Sequence, residues 1–533
     1  MGAKEGTTNG IVAAGHPLTA GAADEILRAG GNAFDAALAA LVTACATEPV
    51  MASPAAAGFL LALPVEGKPR VYDFFAQTPA LRRPESEIEF EPIIADFGEA
   101  QQEFHIGKGT VAVPGMVKGL FAAHGDLGAL PIAEIMAPAI ALARGGVTIT
   151  PFQAYLFGVI GPTFLATKAS RAIFGSPNGE GLVGEGEILR QPELADVLEA
   201  LSREGAALFY EGEIADRIAR DMAGTPGGHI TAADLAAYQV ILREPLGFEY
   251  RGARIHTNPP PASGGLMAAF GLKLLEGRDV AAFPFGSADH VALIASAIRE
   301  TGEARLDMAA RGGGAGEAGE AMLDAEFLDI YRARLTGRPR ARRGTTQISV
   351  IDSAGNLASL TVSNGEGSGY VVPGTGIVMN NMLGEEDLNP GGFHRWPTAR
   401  RMASMMAPTA VEWPAGAGPG AVAGRKVATG SGGSNRIRSA LLQVLVNLID
   451  YGMPLGEAVS APRLHVEDGL LSIEGGFELD QLGAVLEACA SVQIWDRRNM
   501  FFGGAHSVEA LTKDGRLFFS GAGDERRGGS VLP

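Results

Sequence analysis

The chain has 533 residues, 46% hydrophobic and 19% charged, with 74 glycines, the composition of a folded protein of roughly two to four modules and not of a disordered one. Its formal net charge of −17 disfavours phosphate backbones and anionic membrane surfaces, because a nucleic-acid binder needs a basic footprint. Chemistry on a small molecule is the class that remains, with neither nucleic acid nor membrane as partner.

Residues 1–10 carry no apolar core of signal-peptide length, and no stretch reaches the roughly 18 apolar residues of a membrane span, so a cytoplasmic location is expected. Residues 11–14 read as a strand, 18–29 and 33–45 as helices, and Gly30-Gly31-Asn32 as the break between them. Apolar residues recur at three- and four-residue intervals over 111–144 and 191–220, which again reads as amphipathic helix. Cys45 and Cys489, the two cysteines, sit in apolar helix-like runs; no Cys-x-x-Cys or Cys/His cluster offers metal ligands, and both read as packed thiols. A glycine-rich run at 312–316 and a helix-like 321–335 lead into a basic segment holding Arg332, Arg334, Arg338, Arg340, Arg342 and Arg343. In so acidic a chain that run reads as an exposed loop, where proteolysis and self-cleavage concentrate.

Strand patterns follow at 348–352 and 357–363, joined by Ser353-Ala354-Gly355-Asn356, which reads as a four-residue hairpin loop, and a third short strand is expected at 377–379. Residues 415–424 read as a surface loop, and no solenoid or propeller repeat is present. The expected order is therefore a helix-rich half, a basic loop and a mixed half.

Closing that hairpin at Asp352 and Leu357 sets Thr345 opposite Asn364 and Thr346 opposite Ser363, with Thr361 two residues along. Three hydroxyls and an amide then gather at its open end. A threonine hydroxyl needs a base, and no Ser/His/Asp spacing supplies one. A free α-amino group, with a pKa of about 7.7 to 8.0, lies close enough to neutrality to serve. Thr345 becomes N-terminal only if the Gly344–Thr345 bond breaks, and its own hydroxyl attacking the Gly344 carbonyl would break it through an ester.

Thr345-Thr346, Ser349-Val350, Asp352, Gly355-Asn356, Gly374-x-Gly376 and Asn380-Asn381 resemble the small-subunit opening of gamma-glutamyltranspeptidases. Later segments continue the likeness at Ala407-Pro408-Thr409, Gly430-Ser431-Gly432-Gly433-Ser434 and Ala461-Pro462-Arg463. Earlier ones do so at His16-Pro17-Leu18, Gly30-Gly31-Asn32-Ala33, Glu48-Pro49, Pro114-Gly115 and Pro259-Pro260-Pro261. The resemblance, ordered along nearly the whole chain, implies an α/β protein, the four-layer αββα sandwich of N-terminal-nucleophile hydrolases. It implies a precursor cut into a large chain, 1–344, and a small chain, 345–533, each the other's partner. No metal or other cofactor is implied.

Carried over by position, the resemblance makes Thr345 the nucleophile, Ser363 a hydroxyl contacting its amine with Thr361 in support, and Gly433 and Ser434 the paired amides that stabilise the oxyanion. The substrate residues depart from the family. Phe75 follows Tyr72-Asp73-Phe74 where an arginine usually grips the γ-glutamyl carboxylate. Met382, Leu383, Gly384 and Glu385 follow Asn380-Asn381, leaving Glu385, Glu386 or Asp387 to take the family aspartate's place at the α-amino group. Ser404 and Met405 replace paired serines, and Gln347 stands where histidine is usual. Arg395, Arg401, Arg436 and Lys108 are candidate replacement clamps, each equally readable as a structural cation, and His105 and His394 are ambiguous in the same way.

The leading expectation is a self-processing enzyme that hydrolyses or transfers the acyl group of γ-glutamyl amides, with water or an amine as acceptor. An alternative keeps the machinery but takes a different acyl amide into a less polar pocket lined by Phe75 and Met382. A third is an uncleaved binding scaffold.

Overall fold

Strand residues that alternate between two apolar environments indicate a sheet covered on both faces. In the strand Ala57–Leu63, Phe59, Leu61 and Leu63 join one buried cluster while Leu60 and Ala62 join another. The computed structural model, which describes every residue except 1–7, 97–100, 180, 311–320, 333–344, 390 and 415–421, shows what those faces meet. A seven-stranded antiparallel sheet runs in the order Ser530–Leu532, Gly10–Ala14, Thr346–Asp352, Leu357–Ser363, Ala57–Leu63, Arg70–Phe74, Ile241–Arg243. One face packs on the helices Pro17–Arg28, Ala33–Thr47, Met116–Leu127 and Ile132–Gly145. The other meets a six-stranded sheet, Arg516–Ala522, Ser507–Lys513, Arg425–Thr429, Thr409–Glu412, Ala253–Thr257, Leu246–Tyr250. That second sheet is backed by Gly264–Leu275, Ala288–Ala310 and Arg436–Ile449. The four layers are α, β, β, α.

The first half is helix-rich, as read from its sequence, and it also supplies strands to both sheets. The helix Ala33–Thr47 is buried at all 15 positions because alanines dominate its surface, and Asn32 and Asp35 close its N-terminus as a capping box. The apolar periodicity of 191–220 resolves into Pro192–Glu204, Ala207–Tyr210 and Glu213–Met222. Residues 377–379 form no strand but an isolated bridge between Val371 and Val378. Helix Ala325–Arg332 carries the first arginine of the basic segment; the other five, with the 312–316 run and most of 415–424, lie outside the described residues.

The hairpin register corrects the expected one by a single residue. Ile351 pairs with Leu357, Gln347 with Thr361 and Thr346 with Val362. The loop is three residues, 353–355, because the Asp352 amide bonds to the Asn356 carbonyl and the Asp352 carboxylate accepts from the Ala354 and Asn356 amides. Gly355, at φ +90°, occupies the left-handed position such loops require. Thr345 therefore comes into line with Ser363, not with Asn364.

Candidate active site

Thr345 precedes the central strand Thr346–Asp352 and is 5% exposed. Its φ of +138° is a conformation a β-branched residue adopts only at a cost of about 1–3 kcal/mol, so its neighbours must hold it. Arg527 does so from one side: its buried Nη1 donates to the Thr345 carbonyl at 2.8 Å. Gly432 packs on the same carbonyl so closely that a Cβ there would lie 1.7 Å from its oxygen. On the next residue, the Thr346 hydroxyl donates to Glu48 at 3.0 Å.

Beside Thr345 opens a narrow cleft, reached by Ser363, Ser434, Phe75, Met382, Glu385, Ser404 and Met405. Thus most of the site residues expected from sequence share one cleft. Ser363 Oγ accepts the Gly365 amide at 2.9 Å. Gly433 and Ser434, at φ +128° and +47°, form a tight turn leading into the helix Arg436–Ile449; among the described residues neither amide has an acceptor. Two adjacent free N–H groups beside a threonine hydroxyl are an arrangement that could stabilise a developing oxyanion.

Gly433 stands behind Ser434 in that turn and is not itself in the lining, and two further expected residues lie away from the cleft. The Thr361 hydroxyl donates to Gln347 Oε1 at 2.6 Å, and Gln347 Nε2 passes the network to Ser349 and Ser359 between the sheets. Asn364 is fully buried, its Oδ1 accepting from Ser53 at 3.0 Å. Gly344 lies outside the described residues.

Apart from its hydroxyls, the cleft lining is apolar and acidic. Phe75 stacks on Phe59 with centroids 5.3 Å apart and 11° between planes. Ser404 Oγ accepts the Met406 amide. Glu385 is 6% exposed, its Oε1 has no partner among the described residues, and burial, then Glu366 and Asp387, hold its carboxyl well above the usual range. Among the described residues no arginine or lysine lines this cleft.

The candidate clamps are engaged or placed elsewhere. Arg401 donates to the Asp73 carboxylate, the Phe75 carbonyl and the Tyr238 hydroxyl. Lys108 pairs with Glu89 and lies over the Tyr370 ring. Arg395 is exposed. Arg436, buried on the Phe501 ring at 4.3 Å, has its pKa pulled down to about 9 by desolvation. His105 and His394 both pack on Phe90, and burial lowers both rings' pKa. Among the described residues no three His, Cys, Asp or Glu side chains converge as metal ligands, and no helix is long and apolar enough to cross a membrane.

Sequence reasoning passed over Glu48 as a chemical group and over Arg527 altogether. Glu48 is signalled only as a charge in an apolar run, and Arg527, set among Asp524, Glu525 and Arg526, carries no signal that separates it from a surface cation.

The gamma-glutamyltranspeptidase family model matches residues 19–533. The chain is 34% identical over 487 residues to the Acylase ACY 1 proenzyme of Pseudomonas sp. (strain SE83), covering 88% of this chain and 84% of that one. It is 31% identical over 502 residues to the glutathione hydrolase proenzyme of Escherichia coli (strain K12), covering 87% and 82%. In structure it is similar to the cephalosporin acylase from Bacillus halodurans, with a TM-score of 0.82 and 25% identity over 98% of this chain and 96% of that one. With the αββα layers and these likenesses together, the chain belongs to the gamma-glutamyltranspeptidase family of N-terminal-nucleophile hydrolases.

Proposed function

We propose that the protein is a self-processing amidohydrolase whose nucleophile is Thr345 and whose acyl substrate lacks the carboxylate-clamped γ-glutamyl end. The observation that carries the substrate reading is the cleft lining: Phe75, Met382 and Met405 line it beside Thr345, and among the described residues no cation does. Replacing a bidentate arginine partner costs about 2–5 kcal/mol of binding, too much for a carboxylate to be the main handle. The acylase names of several relatives accord with it.

Maturation and turnover use one chemistry. Thr345 Oγ1 attacks the Gly344 carbonyl carbon, the C–N bond breaks, the nitrogen takes the hydroxyl proton, and water hydrolyses the resulting ester. The products are chains 1–344 and 345–533. In turnover the free α-amine accepts the Thr345 hydroxyl proton and returns it to the leaving amine. The Gly433 and Ser434 amides face the oxyanion, and water or a second amine releases the acyl group.

One observation favours the γ-glutamyl reading instead: Glu385 Oε1, without a partner among the described residues, suits an ammonium group, which a γ-glutamyl donor also carries. Intact-mass measurement for two chains, followed by hydrolysis of anilides bearing neutral acyl, aminoacyl or γ-glutamyl groups, separates the readings. Preference for γ-glutamyl anilide would overturn the one proposed, and a chain that stays whole would overturn the nucleophile.

A further inference from the structure

Glu48 is buried where no catalytic step needs a carboxylate. It is 4% exposed at the C-terminus of the helix Ala33–Thr47, and both its oxygens accept from hydroxyls: Oε1 from Thr19 at 2.8 Å and Oε2 from Thr346 at 3.0 Å. The Thr19 hydroxyl also meets Thr47 at 2.7 Å. Backbone closes the remaining side, since a Cβ on Gly15 would lie 2.4 Å from Oε2. Among the described residues no cation bonds to it.

Thr346 is the residue after the one in strained backbone. With the Thr346 side chain tied to Glu48 and the Thr345 carbonyl tied to Arg527, the chain is anchored at two points immediately after the Thr345 Cα. A φ exists only while a residue precedes it, so cutting the Gly344–Thr345 bond releases the strain that these anchors maintain. Resting on the reading of Thr345 as a self-cleaving nucleophile, we propose that Glu48 is a positioning residue for maturation, acting through the Thr346 hydroxyl to hold Thr345 in the conformation that attacks Gly344.

Burial pushes the Glu48 carboxyl up to about 7, so the clamp changes protonation near neutrality. The other titratable groups on the packed elements leave it alone. Burial pushes the Cys45 thiol up and the His16 ring down to about 4, so both stay neutral. Asp24 pairs with Arg28, Asp35 accepts the Asn32 and Ala129 amides, and Asp352 accepts the Ala33 amide.

The test follows self-cleavage of the full chain, made by cell-free synthesis, by intact mass from about pH 5.5 to about 8.5, a range that brackets the Glu48 titration near 7, with thermal melting of each product. Thr346→Val should cut roughly 10- to 100-fold more slowly than wild type, the scale of a misplaced nucleophile, and Thr346→Ser should restore the rate. Glu48→Gln should cut slowly and lose the component of the pH profile centred near 7. Val and Ser variants cutting alike at the wild-type rate, or a Glu48→Gln profile identical to wild type, would overturn the proposal. If Glu48→Gln does not fold, the Val/Ser contrast decides alone. A wild-type chain that never cuts sinks the Thr345 reading itself, a separate outcome.

Discussion

The segment around Thr345 is gripped at several points: Arg527 holds the Thr345 carbonyl, Glu48 holds the Thr346 hydroxyl, and Gly432 leaves no room for a methyl group. The acyl side of the same cleft is shaped by Phe75, Met382 and Met405, with one carboxyl, Glu385, left without a partner among the described residues. The difference separates two demands. Attack geometry tolerates little displacement, so it is secured by buried hydrogen bonds. Acyl recognition needs a shape and a polarity, which apolar side chains supply and exchange at modest cost.

The sharpest way to break the comparison is at the gripped end. Thr345→Ala should leave the chain whole and without hydrolase activity, read by intact mass and an anilide assay; cleavage between 344 and 345 in that variant would remove the nucleophile. Gly432→Ala should come next, because its Cβ would sit 1.7 Å from the Thr345 oxygen and the turn must move. A loss of roughly 100-fold or more in self-cleavage is expected, with a lowered melting temperature. On the acyl side, Phe75→Arg should leave self-cleavage intact while raising kcat/KM on a γ-glutamyl anilide about tenfold, the scale of one recovered charged hydrogen bond. It should lower turnover of neutral acyl anilides. If instead it abolishes cleavage, the two sides are not separable as described.

The same contrast decides what could be read from the sequence. Thr345 and the Gly433-Ser434 turn belong to short motifs that follow one another in the family's order along the chain, so the family was readable there, and so was the four-layer fold. The hairpin register was not. Three- and four-residue loops both suit Ser-Ala-Gly-Asn, and the choice rests on the Asp352 carboxylate capturing the Ala354 and Asn356 amides. Nor were the anchors visible: Thr346 and Glu48 are 298 residues apart, Arg527 and Thr345 182. Periodicity carries no information at that separation. Arg401, a candidate clamp by charge alone, is consumed by Asp73 and the Phe75 carbonyl, a fate only packing reveals.

The smallest expected effect concerns stability and tests whether Glu385 is a substrate handle retained at a cost. Its carboxyl is held above the ordinary carboxylate range by burial first and by Glu366 and Asp387 second. Between the unfolded and the folded pKa the native state keeps a proton that the unfolded chain releases, so stability falls as pH rises through that window. Glu385→Gln removes the titration. The variant should therefore melt close to wild type near pH 4.5, the ordinary value for this group, and increasingly above it as pH rises. The gain should reach about 1–3 kcal/mol, the cost of a buried polar group left without a partner. Activity should move the other way for substrates that carry an amino group on the acyl chain, and should hold for those that do not. Parallel melting curves for the two proteins across that range would mean that Glu385 finds a partner in solution, and the acyl side would then be as tightly tied as the nucleophile.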